Sequence, residues 1–320
     1  MTSRDVLEST LDRTLDQTHF EGLGERFPGK VRDSYVRDGQ RVIVVTDRVS
    51  AFDVVLGTIP FKGQVLNGIA RYWFEAAADI APHHLISVPD PNVSVVEECE
   101  VFPIEMIVRA YLTGSSPTSI WTAYARGERQ YCGHTLPDGL TRHQRLAEPI
   151  VTPTTKAEAG EHDELTSRDE LIARGVVSAA QYDELAAMSL RLFDFGARQA
   201  AERGLILVDT KYELGRRKRD GKVIFVDEIH TPDSSRYWYR DGYDEAVAAG
   251  ESPRALDKEF LRKRLVERGY QGQGEAPALE DALRIEVAER YIELYERVTG
   301  QTFEANTEEP VARIKRNLGL

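Results

Sequence analysis

The sequence predicts an α+β fold, on three observations. Short β-like runs separated by turn residues fill the first third of the chain, two strongly apolar strands stand near residues 205–226, and amphipathic helix patterns occupy 178–203 and 279–298. The chain has 320 residues, 41% of them apolar, enough to bury a core and to form two subdomains around a cleft. The boundary is expected after Leu112, giving units 1–112 and 113–320, with a small-molecule site between them.

The elements follow in order. Val31 to Val36, the turn Asp38-Gly39 and Arg41 to Thr46 form a hairpin pattern, whose second arm carries the apolar run Val42-Ile43-Val44-Val45. After Gly63, Val65, Leu66, Ile69, Trp73, Phe74 and Ala77 recur at three- and four-residue spacing and predict a helix with one apolar face. Val93 to Val96 and Ile104 to Leu112 read as a further strand pair, ended by Gly114-Ser115-Ser116-Pro117. Glu148 to Ser167 is polar and aperiodic, a long loop of the kind that usually serves function. Ser178 caps a helix running to about Arg203, with Leu185, Met188, Leu192 and Phe195 on one face and Gly204 as its stop. Leu205 to Asp209 and Val223 to Val226 are expected as an antiparallel pair turned at Asp220-Gly221. Helices around Asp257 to Arg268 and through Leu279, Leu283, Val287, Tyr291, Leu294 and Val298 complete the chain.

A formal charge of −12 argues against a surface built for nucleic acid or anionic lipid, which select Lys/Arg-rich faces. No apolar run approaches the ~20 residues of a membrane helix, and the polar first twenty residues lack a signal region, so a cytoplasmic protein is expected. Cys99 and Cys132 have no neighbouring Cys or His at ligand spacing, which supports neither a disulfide nor a zinc site.

Several segments carry residues suited to chemistry. Gly24 to Val31 spells most of a phosphate-loop motif but ends in Val31, where that motif needs a hydroxyl for magnesium, and its flanks are not strand and helix. What survives is Gly29-Lys30 with Arg32 at the head of a hairpin, placed to cover phosphates from above; by spacing alone an exposed turn fits as well. Asp47, Arg48, Ser50 and Asp53 cluster where the chain leaves a buried strand, as site residues or as turn caps. Asp209, Lys211 and Glu213 alternate and so share one face of a strand. If the neighbouring strand is adjacent, Glu213 and Asp227 converge as two hard oxygen ligands, the set Mg²⁺ takes together with nucleotide phosphates. Lys211 between two acids is either an ion-pair ladder or a cation for a transferring phosphoryl group. The turn Thr231-Pro232-Asp233-Ser234-Ser235-Arg236 suits a phosphate or carboxylate, or is an ordinary Pro-Asp turn with an exposed arginine. Arg109, inside the apolar run Met106 to Leu112, requires an anionic partner.

Together these segments resemble the SAICAR synthetase family, the phosphoribosylaminoimidazole-succinocarboxamide synthases. The resemblance rests on Gly29-Lys30-Val31-Arg32-Asp33-Ser34-Tyr35, Thr46-Asp47-Arg48-Val49-Ser50-Ala51-Phe52-Asp53 and Ile107 to Ser115. It continues through Thr152 to Glu158, Glu161 to Glu164, Asp209 to Glu213, Val226-Asp227-Glu228 and Thr231 to Trp238, collinear from about Gly29 to Leu265.

The resemblance implies a two-domain fold, with an N-terminal, mostly antiparallel sheet capping an ATP cleft and a larger α+β domain plus C-terminal helices. It implies the reaction of CAIR, ATP and L-aspartate to SAICAR, ADP and phosphate, with Mg²⁺, through an acyl phosphate. By the same analogy Gly29, Lys30, Val31 and Arg32 lie over the ATP phosphates, the backbone around Met106 meets the adenine, and Lys156 serves the nucleotide. Glu213 and Asp227 would hold magnesium. Arg109, Ser115, Ser235 and Arg236 would hold the CAIR carboxylate and ribose phosphate, with Ser50, Asp209, Asp233 and Ser234 as further substrate contacts. Lys211 and Arg109 would face the reacting centre, and Asp47 and Asp53 would handle the aspartate ammonium. The segment Tyr243 to Leu320 resembles the longer fungal-type enzymes, leaving monomer and homodimer both open. The rival is a kinase-like phosphotransferase, disfavoured because Asp194-Phe195-Gly196 falls inside an expected helix rather than after a strand.

Overall fold

Ser3 accepts from the Val6 amide and so caps α1 (Arg4–Ser9), after which the chain enters β1 (Glu25–Pro28), β2 (Arg32–Arg37) and β3 (Gln40–Val45). The computed structural model describes residues 2–52, 54–156, 164–256 and 259–320. Asp38 and Gly39 both take left-handed backbone (φ 53° and 77°), the conformation a two-residue hairpin needs, which confirms the turn between β2 and β3. β1 escaped sequence reading because it is a mostly exposed edge strand with no buried face to impose alternation.

A second hairpin, β4 (Arg48–Ala51) with β5 (Val54–Thr58), leads to α2 (Lys62–Ala76), the helix expected after Gly63. Next come β6 (Leu85–Asp90), β7 (Val93–Glu97), β8 (Cys99–Val101) and β9 (Ile104–Tyr111). β7 and β9 are strands as anticipated but are not partners. β7 lies between β3 and β6 in an antiparallel sheet of order β1-β2-β3-β7-β6, while β9 belongs to the larger sheet. Periodicity marks a strand's buried face but not its neighbour, which is set by the chain's return path.

After α3 (Ile120–Ala125) and the short hairpin β10 (Gln130–Tyr131) with β11 (His134–Thr135), β12 (Arg145–Val151) and β13 (Thr154–Thr155) both pair with β9. The start of the expected 148–167 loop is therefore strand: its alternation is hidden because β12 lies at the sheet edge and half its residues face water. Residues 157–163 of that loop lie outside the described residues. Ser167 caps α4 (Arg168–Ala173), and Ser178 with Gln181 forms a capping box for α5 (Ala179–Glu202), the helix expected to begin there.

β14 (Leu205–Arg217) runs thirteen residues, far past the expected Asp209. Its second half pairs with β15 (Val223–Val226), Glu213 opposite Val226, and with β8. Its first half lies between β9 and β16 (Ser235–Tyr239). α6 (Tyr243–Ala248), α7 (Glu259–Glu267), α8 (Asp281–Thr299) and α9 (Pro310–Leu318) follow. α9 was not foreseen; its fully buried Arg313 is satisfied by Asp90 at 2.9 Å and by Asn92 at 2.5 Å. The core joins the apolar faces of α2, α5 and α8 to the inner residues of both sheets, including Val45, Trp73, Leu192, Tyr212 and Leu294. Among the described residues, no helix is long and apolar enough to cross a membrane.

Candidate active site

Alternation along β14 turns Tyr212 into the core and leaves Asp209, Lys211 and Glu213 on the opposite face. Register then supplies the partners. Asp209 stands opposite Arg109 of β9 on one side and opposite Arg236 of β16 on the other. Its carboxylate accepts from Arg109 at 3.2 Å and from the Arg236 Nε at 2.8 Å, with a second contact to the Arg236 fork. Burial pushes the Asp209 carboxyl up, but Arg236 and Arg109 outweigh it and hold the group below its usual range. Asp209 is thus the anion that a charge in an apolar strand demands, and Arg109 also donates to the Thr152 hydroxyl at 2.9 Å.

These residues border a cavity of about 400 Å³ lined, among others, by Arg109, Ser115, Asp209, Lys211, Asp233, Ser234, Ser235 and Arg236. Gly114, at φ 117°, turns the chain into it; a Cβ there would stand 2.4 Å from that of Ser119. The Ser235 hydroxyl lies 2.7 Å from that of Thr210, which ties the Thr231–Ser234 turn to β14. Arg262 of α7 lines the same cavity, a residue sequence reasoning missed because a helix arginine carries no local signature.

Lys211 Nζ reaches Glu105 at 2.5 Å and Glu213 at 2.9 Å. Burial opposes its charge, yet Glu213 and Glu105 hold the ammonium well above its ordinary range, so Lys211 is a permanent cation. Glu105 was also missed. The signal was available, since Glu105, Ile107 and Arg109 alternate on one face of β9 and all three line the cavity.

Arg32 crosses from the small sheet to the large one, pairing with Asp227 and, at 2.5 Å, with Glu228. Asp227 follows β15 with left-handed backbone (φ 63°), a conformation a non-glycine residue keeps only when its surroundings impose it. Arg32 keeps Asp227 ionised although burial opposes it, while Glu228 is pushed up by burial despite the same arginine. Lys156 pairs with Glu213. Gly29 and Lys30 form an exposed turn, closed by a 2.7 Å bond from the Gly29 amide to the Arg32 carbonyl. Arg48 braces it from beneath, donating to the carbonyls of Lys30 at 2.9 Å and Gly29 at 3.0 Å and pairing with buried Asp33 at 3.1 Å. Val31 is half-buried behind this turn. The β14–β15 register sets Glu213, inside β14, opposite Val226, the last residue of β15, and Asp227 follows directly. Among the described residues no cluster of three or more acidic, His or Cys groups forms a closed metal cage. Two carboxylates facing Lys and Arg cations suit a Mg²⁺ ion that draws its remaining ligands from phosphate and water.

The structure does not bring every candidate to this cavity. Asp47 is buried beneath α2, accepting from the amides of Leu15 at 2.7 Å and Gly63 at 2.8 Å, and burial raises its carboxyl to about 6. Ser50 sits in β4 opposite Val55. Asp53 lies outside the described residues. The Met106 side chain is fully buried, and β9 pairs with β13 on one side and β14 on the other. Asp194-Phe195-Gly196 lies within α5, as expected, and so is no kinase metal loop.

The sequence model of the SAICAR synthetase family matches residues 26–278. The chain is 48% identical to the phosphoribosylaminoimidazole-succinocarboxamide synthase of Legionella pneumophila over 282 residues, covering 88% of this chain and 89% of that one. It is likewise 48% identical to the synthase of Bacteroides fragilis over 313 residues, covering 96% and 98%. Among solved structures it is similar to SAICAR synthase from Saccharomyces cerevisiae complexed with SAICAR, with a TM-score of 0.78, 30% identity, and coverage of 91% of this chain and 100% of that one.

Proposed function

We propose that this chain, which belongs to the SAICAR synthetase family, is an ATP-dependent carbon–nitrogen ligase of purine biosynthesis that joins L-aspartate to the carboxylate of CAIR. The products are SAICAR, ADP and phosphate. The observation that carries the reading is the single cavity in which β9, β14 and β16 gather Arg109, Asp209, Lys211 and Arg236.

A carboxylate resists attack by an amine until one of its oxygens becomes a leaving group. The γ-phosphoryl group of ATP is transferred to that oxygen, ADP departs, the aspartate nitrogen bonds to the acyl carbon, and phosphate leaves with the C–O bonding pair while the nitrogen loses its proton. The chain's work is positioning and charge neutralisation. Arg109 and Arg236, both paired with Asp209, bind the anionic groups of CAIR, assisted by Ser115, Ser234 and Ser235. Lys211, kept charged by Glu105 and Glu213, neutralises the oxygens around the transferring phosphorus. Lys30 and Arg32 cover the nucleotide, Lys156 serves the same side, and Glu213 and Asp227 hold magnesium. When bound, Mg²⁺ supplies the divalent charge that offsets the triphosphate. Asp47 serves the start of α2 rather than the amine.

The test mixes purified protein with ATP, Mg²⁺, CAIR and L-aspartate and follows ADP and succinocarboxamide together, with single omissions. Equal formation of both, dependent on every component, is expected. ADP release indifferent to aspartate or CAIR would overturn the reading.

A further inference from the structure

Asp233 lines the cavity, but its two carboxylate oxygens are turned to residues that do not. Lys62, at the start of α2, donates to Oδ2 at 2.8 Å, and Tyr291, on α8, donates to Oδ1 at 2.8 Å. The Lys62 ammonium also stands 5.7 Å from the centroid of the Tyr291 ring. Lys62 is fully buried and Tyr291 nearly so. An ammonium removed from water needs an anion, and Asp233 provides it from the far side of the Thr231–Ser234 turn.

The turn is anchored on the sheet side. It is closed by a 3.1 Å bond from the Ser234 amide to the Thr231 carbonyl and a 3.1 Å bond from the Thr231 amide to the Ser234 hydroxyl, and it is joined to β14 by a 2.8 Å bond from the Lys211 amide to the Ser234 carbonyl. None of these bonds reaches α2 or α8; the Asp233 carboxylate does. Ser234 follows Asp233 directly and lines the cavity, while Ser235 and Arg236 open β16 and are held in register with β14, so a shift of the turn moves Ser234 and strains the point where β16 begins. Tyr291 also lies beyond residue 278, where the family match ends.

We propose that Lys62 and Tyr291 are positioning residues that grip Asp233 from two helices and so set the turn that presents Ser234 to the phosphorylated substrate and leads into Ser235 and Arg236 of β16. The C-terminal helix α8 is thereby part of the substrate site's support. This rests on the ligase reading above. Because the turn holds the substrate away from the reacting carbon, its loosening weakens ground state and transition state alike, and KM rises while kcat stays.

The experiment compares the full-length wild type with Tyr291→Phe, which keeps the ring and its packing, and with Tyr295→Phe on the same helix, whose hydroxyl faces Gln301 instead. Tyr291→Phe is expected to raise KM for CAIR by about five- to tenfold, less than the full loss of a hydrogen bond to a charged group because the effect reaches the substrate only through the turn, with kcat within about twofold. KM for ATP and the unfolding midpoint should stay near wild type, and Tyr295→Phe should change nothing. Asp233→Asn is an independent second variant; it should raise KM for CAIR and abolish any added effect of Tyr291→Phe in the double variant. A wild-type KM for CAIR in Tyr291→Phe, a lowered midpoint with KM unchanged, or full additivity of the two substitutions would each overturn the clamp. Wild-type turnover separately decides the ligase reading.

Discussion

Arg109 and Asp209 face each other across the β9–β14 ladder and pair at 3.2 Å, while Arg236 meets the same carboxylate from the other neighbouring strand. One buried acid thus holds two guanidiniums side by side at the edge of a cavity. Two like charges so close are unstable alone, and the carboxylate makes the arrangement permanent before substrate arrives.

Asp209→Asn keeps the shape of the side chain and removes its charge. Two arginines are then left facing each other, and the protein should lose about 3 kcal/mol of stability. Urea unfolding measures it through a lower midpoint at unchanged slope. An unchanged midpoint would mean that the arginines do not depend on this acid.

Lys211→Ala removes the cation held between Glu105 and Glu213. Turnover should fall by about a hundredfold or more with circular dichroism unchanged, the scale of losing one preorganised charge at a reacting centre. Wild-type turnover in a folded variant would take Lys211 out of the mechanism.

Glu213 and Asp227 are already engaged by Lys156, Lys211 and Arg32. A divalent ion alone must displace these cations, so Mn²⁺ titrated by electron paramagnetic resonance should bind weakly to the protein and tightly once ATP is added. Lys156→Ala should tighten binding of Mn²⁺ alone by about threefold, since it removes from buried Glu213 a competing cation whose own ammonium is exposed and screened. Weaker binding in that variant would contradict the competition.

His230 is fully buried, its Nε2 against the Tyr212 hydroxyl, and burial lowers its pKa from 6.5 to about 3. Below pH 6.5 the unfolded chain takes up a proton that the folded one refuses, so stability falls as pH drops from 6.5 toward 3, by up to about 1.4 kcal/mol per pH unit. Asp47 acts in the opposite sense: its carboxyl, raised from 3.8 to about 6, favours the folded state at low pH and loses that contribution as pH rises through this window. Unfolding free energies from pH 7 to pH 5 for wild type and His230→Gln isolate the histidine, because Asp47 is common to both. The variant should show the smaller loss on acidification, and parallel curves would refute the assignment.

How much was legible depended on the kind of signal. Val65 to Ala77 and Ser178 to Arg203 were readable because a helix packed on one side repeats its apolar face every three to four residues, and both appear as α2 and α5. Asp209, Lys211 and Glu213 were readable as one face of a strand for the corresponding reason. Strand partners were not, and β7 with β9 shows why: pairing is chosen by chain return, which leaves no local trace. Glu105 stood in an alternating pattern beside Arg109 and was passed over, because the strand's apolar character drew attention to its core side. Asp47 carried the opposite lesson. A carboxylate next to suitable residues in sequence was turned by the fold toward two backbone amides.

The sequence by itself determined the family, the residue types of the chemistry and the elements that carry them, because those depend on side-chain identity and short-range periodicity. The tertiary structure alone decided that Asp209 would hold both arginines, that Arg32 would cross 195 residues to reach Asp227, and that Lys62 and Tyr291 would meet on Asp233. Each of these contacts joins segments far apart in the chain. Each exists because a buried charge must find an opposite charge or a hydrogen-bond donor wherever packing brings one within reach.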